Sequence, residues 1–272
     1  MQEQLTNESS GTGENTPIAD TKLLKSFEEE GVYTRPFIVT PDYCDSRASL
    51  SPLGVFAAFQ ALSAEHAQIL GIGAADMKKK GKIWVTVHNR IDFYDTAWLV
   101  DELTASTWAV PCAPESERVF RAYSLQKGDR RIAEGKTQWA FLGMDGKTLP
   151  FKDSGFPSDY KFVQRQTIPD EPVWFEDDFT QEDLSEVYQV RPTDVDFGHH
   201  MNNIIYVRRL LDQFSSREIT AASVRSIEIH YGAPCKEKET IHIYKKTEDH
   251  ISRMAMKKED GRTAAMGSIW FH

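Results

Sequence analysis

The sequence predicts an α+β fold built from two consecutive copies of one unit, a long helix followed by an antiparallel sheet. Three observations carry this. An apolar stripe at helical spacing precedes four segments of alternating polarity, the same order recurs from residue 186 onward, and a proline-bearing stretch separates the two runs. At 272 residues the chain is long enough for two domains of ordinary size.

Residues 1–30 read as a polar arm, since the opening MQEQLTNESSGTGENTPIAD has no Arg or Lys and no apolar block, unlike a secretory or organelle leader. The first unit spans 31–150. Arg35 to Thr40 is extended, and Ser51-Pro52 starts a helix, because Ser caps free amides and Pro fits the first helical position. Leu53, Phe56, Phe59, Leu62 and His66 form its buried stripe, and Gly71 and Gly73 stop it. Strands then fit Ile83 to Phe93, Asp101 to Val110, Arg118 to Gln126 and Ile132 to Phe141, with Gly128-Asp129 and Asp145-Gly146 as turns.

Residues 151–185, with Pro157, Pro169, Pro172 and the acidic, aromatic run WFEDDF, read as a linker. The second unit spans 186–272. Glu186 to Val190 is extended, and a helix beginning near His200 buries Ile204, Val207, Leu211 and Phe214. Strands fit Val224 to Tyr231, Glu239 to Lys246, Ile251 to Lys257 and Thr263 to Phe271. A helix too apolar to stand alone, followed by an antiparallel sheet, implies a sheet wrapped around that helix, the hotdog arrangement. Two in tandem form a pseudo-dimer, so function is expected where the halves meet.

A net charge of −9 lacks the basic footprint of a nucleic-acid binder. Cys44, Cys112 and Cys235 form no CxxC, so neither a disulfide framework nor a zinc site is expected, and a reducing, cytoplasmic setting fits. No apolar run approaches the roughly 20 residues that span a bilayer.

Reactive side chains are densest in RPTDVDFGHHMNNIIYVRRLLD, residues 191–212, a loop entering a helix. Helix starts offer free N–H groups and a positive dipole end to a developing oxyanion. His200 is the natural general base near neutral pH, Asp196 would orient it, and amides near Asn202 would hold the oxyanion.

Asp194, Asp196, His200, Asn202, Asn203 and Tyr206 match D-x-D-x-x-x-H-x-N-N followed by Tyr, and this segment resembles the signature of plant-type and bacterial acyl-acyl carrier protein thioesterases. The resemblance extends to YTRPFIVTPDYCDSRASLSPLGVFAAFQALSAEHA and KIWVTVHNRIDFYDTAWLVDELTASTW, so that it runs from about Tyr33 to His272. It implies a hydrolase releasing fatty acid from acyl carrier protein in fatty acid synthesis, with no metal or other cofactor. Two positions depart from it: Gly198 stands where that family has Asn, and Pro234, before Cys235, stands where it has Glu. His199 or His230 is the candidate replacement.

Each residue has a plainer reading. Asp194 and Asp196 favour turns, and one of Asn202 and Asn203 is expected to cap the helix. His66 reads as a core histidine, Glu65 as a helix-face charge, and Cys235 as a small buried apolar residue rather than a nucleophile. Gly198, Asn203, Phe56, Phe59 and Trp84 are the candidate substrate-binding residues. Lys78, Lys79, Lys80, Arg208 and Arg209 are candidates for steering the acidic carrier protein. The alternatives are an acyl-coenzyme A thioesterase and a non-catalytic acyl-binding protein. The fused halves leave the chain a monomer or a homodimer.

Overall fold

A computed structural model describes residues 27–272, so most of the expected polar arm lies outside the described residues. The first half contains β1 (Phe27–Glu29), β2 (Val32–Ile38), α1 (Pro52–Ile69), α2 (Ala74–Lys79), β3 (Lys82–Phe93), β4 (Glu102–Val110), β5 (Val119–Lys127), β6 (Arg130–Gly143) and β7 (Thr148–Leu149). The second contains β8 (Leu184–Gln189), α3 (Asn203–Leu211), β9 (Val224–Tyr231), β10 (Thr240–Glu248), β11 (Ile251–Lys258) and β12 (Thr263–Phe271). The expected α+β class with tandem hotdog units is borne out.

All strands join one sheet in the order β1-β2-β4-β5-β6-β3-β9-β12-β11-β10-β8, with β7 on β6. Read outward from the centre, β3-β6-β5-β4-β2 repeats as β9-β12-β11-β10-β8. The halves meet strand on strand, antiparallel, with His88 opposite His230 and Arg90 opposite Glu228. Because side chains alternate along a strand, Ile227, Ile229 and Tyr231 face the helices while Ser226, Glu228 and His230 point to the other face.

Helix α1 starts as the sequence implies. Ser51 Oγ accepts from the Gly54 N–H at 2.9 Å and Pro52 occupies the first turn. Phe56, Phe59 and Leu62 are buried beneath it with Ile91, Tyr123 and Ala133. Each half thins its sheet to admit its helix. A Cβ at Gly135 of β6 would lie 2.8 Å from the Phe59 ring of α1, and one at Gly267 of β12 would lie 2.6 Å from Leu210 Cδ1 of α3. These glycines hold equivalent places, Gly135 opposite Ile91 and Gly267 opposite Ile229.

The structure refines three expectations. Helix α3 begins at Asn203, not near His200, and is only nine residues long. Gly71 and Gly73 end α1, but Gly73 then serves as N-cap of α2, a helix whose six residues are too few to show periodicity. Lys78 and Lys79 therefore lie in the last turn of this short helix. The 151–185 stretch is irregular but packed: Trp108 Nε1 donates to the Arg165 carbonyl and Thr167 Oγ1 to the Gly135 carbonyl, both at 2.7 Å, and Ile168 is buried.

His66 is the core histidine expected. It is fully buried on α1, stacks on Tyr33, and its Nδ1 lies 2.8 Å from Arg121 of β5. Burial, with the Arg121 charge adding to it, pushes its pKa down to about 3. An unfolded chain takes up this proton near pH 6.5, whereas the folded one does not until about pH 3, so His66 stabilises the fold above pH 6.5 and progressively less below it. Urea midpoints are expected to fall steadily from pH 6.5 toward pH 4, and His66→Gln is expected to flatten that slope. An unchanged slope in the variant would contradict this origin.

Candidate active site

The motif loop folds back on itself. Val195 bridges Met201, the Asp196 N–H donates to the His200 carbonyl at 3.2 Å, and the His199 N–H returns to the Asp196 carbonyl at 3.0 Å. His199 takes a left-handed φ of 59° at the tip and is exposed. Below the loop, the Met201 N–H donates to the Cys235 carbonyl at 2.7 Å, and the Tyr206 hydroxyl accepts from the Cys235 N–H at 3.1 Å. The motif's tyrosine therefore ties α3 to the segment after β9.

Asp194 is buried and structural: its Oδ2 accepts from the Tyr188 hydroxyl and from the Arg191 N–H. Asn202 is the N-cap, its Oδ1 accepting from the Ile204 N–H at 2.9 Å and from Gln60 Nε2 at 3.3 Å. Gln60 belongs to α1, so this contact joins the two halves. Sequence reasoning missed Gln60 because it sits 142 positions away.

Asp196 and His200 are both half-buried, but they do not form the direct pair expected of a base and its orienter. Asp196 Oδ1 accepts from the Gly198 N–H at 2.8 Å, and His200 Nδ1 lies 3.2 Å from the Met201 carbonyl. A carbonyl accepts only, so Nδ1 carries the proton and Nε2 keeps its lone pair, the tautomer being inferred from that partner. A Cβ at Gly198 would stand 2.9 Å from His200 Nε2 and 3.0 Å from Asp196 Oδ1. The glycine keeps open the space between imidazole and carboxylate.

Beside the start of α3 a narrow crevice opens between the halves. Phe56, Phe59, Gln60 and Ser63 line it from α1, Asn89 and Thr137 from the sheet, and Asn203 and Ile204 from α3. Thr137 Oγ1 donates to Asn89 Oδ1 at 2.6 Å, and Asn89 Nδ2 donates to the Tyr231 hydroxyl at 3.3 Å. Polar groups of both halves thus surround a throat walled by aromatics.

The remaining candidates fall elsewhere. Trp84 packs on Phe141 at 3.7 Å and donates to the Ile72 carbonyl, in a separate cluster beyond the bulge in β3, and it does not line the crevice. His230 points to the opposite face, where the Trp174 ring lies against it at a tilt with centroids 3.7 Å apart, so alternation along β9 takes it away from the loop. Cys235 is fully buried, and burial pushes its thiol pKa up, the reverse of what a nucleophile needs. Pro234 offers only its carbonyl, which accepts from Lys258 Nζ at 3.0 Å. Lys78, Lys79, Lys80 and Arg208 are exposed, but Arg209 is held by Asp212 and Glu186 and lies over the Tyr188 ring at 4.5 Å.

Comparison with known proteins shows what the chain is similar to. Residues 178–271 match the family model described as the acyl-ACP thioesterase C-terminal domain. Over 257 residues the chain is 20% identical to oleoyl-acyl carrier protein thioesterase 1, chloroplastic, of Arabidopsis thaliana, covering 86% of this chain and 69% of that protein. Its fold matches the crystal structure of an acyl-ACP thioesterase from Bacteroides thetaiotaomicron with a TM-score of 0.80 at 18% identity, over 90% of this chain and 100% of that one. It also matches the 12:0-ACP thioesterase of Umbellularia californica, with a TM-score of 0.77 at 14% identity, over 90% and 98%. Among the described residues no helix is long and apolar enough to cross a membrane.

Proposed function

We propose that this chain, which carries the acyl-ACP thioesterase C-terminal domain match on a tandem hotdog fold, hydrolyses fatty acyl thioesters of acyl carrier protein to free fatty acid. The observation that carries the reading is that His200 Nε2 and an Asp196 carboxylate oxygen both face the space beside Gly198, on the loop that leads into α3, whose first residues Asn203 and Ile204 line a crevice shared by both halves. The units are taken as 31–150 and 186–272 joined by 151–185, and three free cysteines are in keeping with a cytoplasmic enzyme.

In this mechanism a water molecule lies between Asp196 and His200, in the space a side chain at 198 would fill. His200 Nε2 takes its proton as the oxygen attacks the thioester carbon, and Asp196 stabilises the imidazolium across the short gap. The Met201 carbonyl fixes the ring, the part expected of Asp196. The amides of Met201, Asn202 and Ile204 are committed to Cys235, Asp194 and the Asn202 cap, which leaves the Asn203 N–H at the helix start for the oxyanion. His200 then returns the proton to the departing thiolate. Phe56 and Phe59 receive the acyl chain.

A panel of acyl carrier protein and coenzyme A thioesters tests the reading. Turnover of carrier-linked substrates with much weaker turnover of coenzyme A esters is expected. The reverse preference would replace it with an acyl-coenzyme A thioesterase, and saturable acyl binding without turnover would replace it with a binding protein. Lys78, Lys79, Lys80 and Arg208 are the exposed cations proposed to steer the carrier. Lys78→Glu with Lys79→Glu should lower kcat/KM for carrier-linked substrate by about tenfold at low salt, and leave a small acyl thioester unaffected. Equal loss on both substrates would remove docking from the proposal.

A further inference from the structure

We propose that His88, Glu228 and His230 form a binding site for one divalent cation of the zinc class, clamping the seam between the two halves on the face of the sheet opposite the candidate active site. His88 comes from β3 and the other two from β9, so all three side chains stand on the central pair of strands. Their side chains are only 1%, 1% and 6% exposed. One ligand atom from each lies within 4.8 Å of the other two.

The spacing is close to that of a metal site. Bonds of about 2.0–2.2 Å to imidazole nitrogen and carboxylate oxygen in tetrahedral geometry put ligand atoms about 3.3 Å apart. Glu228 Oε1 lies 2.7 Å from His88 Nε2 and 3.6 Å from His230 Nε2, on either side of that value. The Val173 carbonyl, 3.0 Å from His230 Nε2, adds an oxygen beside the three. Two histidines with a carboxylate and a further oxygen are ligands suited to zinc-class ions.

Without a cation one carboxylate oxygen of the cluster is unanswered: Glu228 Oε2 is buried with no hydrogen-bond partner. Glu228 receives the Val173 N–H at 2.7 Å on Oε1, the same oxygen that faces His88, so its other oxygen lies bare in the interior. A buried carboxylate solvated on one side only is costly, and a dication offsets that cost. Val173 and Trp174 of the linker cover the site, so one ion would fasten linker, first half and second half together. Sequence spacing did not reveal it because His88 and Glu228 are 140 positions apart and neither sits in a ligand motif.

The test uses the full chain, stripped with a chelator and titrated with Co²⁺ and then Zn²⁺. One equivalent of Co²⁺ with visible absorption, displaced by Zn²⁺, is expected. Zn²⁺ at about 100 times its Kd should raise Tm by about 5–10 °C. Glu228→Gln and His88→Gln should each weaken binding at least about tenfold to a hundredfold. His230→Gln keeps a donor toward the Val173 carbonyl and so separates loss of the ion from loss of the fold. Cys112→Ser and His199→Gln should leave binding unchanged. No stoichiometric binding by the stripped wild type would overturn the proposal, as would full binding in folded His230→Gln or loss of binding in Cys112→Ser or His199→Gln.

Discussion

Replacing His200 with alanine is expected to lower kcat for acyl thioester hydrolysis by about 10²–10⁴-fold, the usual contribution of a positioned general base. Its Nε2 is the basic atom facing the space above Gly198, and the ring is held from behind by the Met201 carbonyl 3.2 Å from Nδ1. KM should change little, because the residues proposed to hold the acyl chain, Phe56 and Phe59, lie on α1. In Asp196→Asn a smaller fall is expected, since that carboxylate is held by the Gly198 N–H and acts on the imidazolium across a gap. Steady-state and single-turnover assays on folded variants would show this. If His200→Ala keeps kcat within about threefold of the parent, a base elsewhere performs the chemistry.

The second large effect concerns the two glycines under the helices. Gly135→Val and Gly267→Val should each cost about 1–3 kcal/mol, the usual penalty of overfilling a packed interior. The reason is direct in each case. The Phe59 ring stacks on Tyr123 at 4.8 Å and has no room to retreat from a Cβ at 135, while Leu210, fully buried, meets one at 267. Scanning calorimetry should show Tm falling by about 2–4 °C per kcal/mol. The sites lie in different halves with separate partners, so the losses should add in the double variant. Because Gly135 also borders the crevice, its substitution should raise KM, whereas that of Gly267 should not. A negligible Tm change in either single variant would show that the helix lifts off its sheet at little cost.

Much of the architecture was legible because it rests on local signals. Ser51-Pro52 caps and starts α1 where expected, and Gly128 takes its left-handed φ of 58° in the β5–β6 turn that Gly128-Asp129 marks. The plain readings that one of Asn202 and Asn203 caps the helix and that His66 is a core histidine hold, since each depends on neighbours close in sequence or on a buried helix face. Helix α2 was not legible, for six residues are shorter than two turns and carry no period. Trp84 and His230 were misplaced for a shared reason. A strand shows which residues share a face, but not which cluster lies over that face once a bulge or a covering linker intervenes.

By itself, then, the sequence determined the order of the elements, the repetition of the unit and the loop on which reactive groups gather, because periodicity and turn chemistry act over a few residues. Only the tertiary structure decided what those groups touch. It set the Met201 carbonyl rather than Asp196 behind His200, brought Gln60 against Asn202, and joined β3 to β9 so that His88 meets Glu228. These contacts form between segments far apart in the chain or depend on how one loop folds back. Their energies come from burial and hydrogen-bond geometry that appear only when the two sheets close into one.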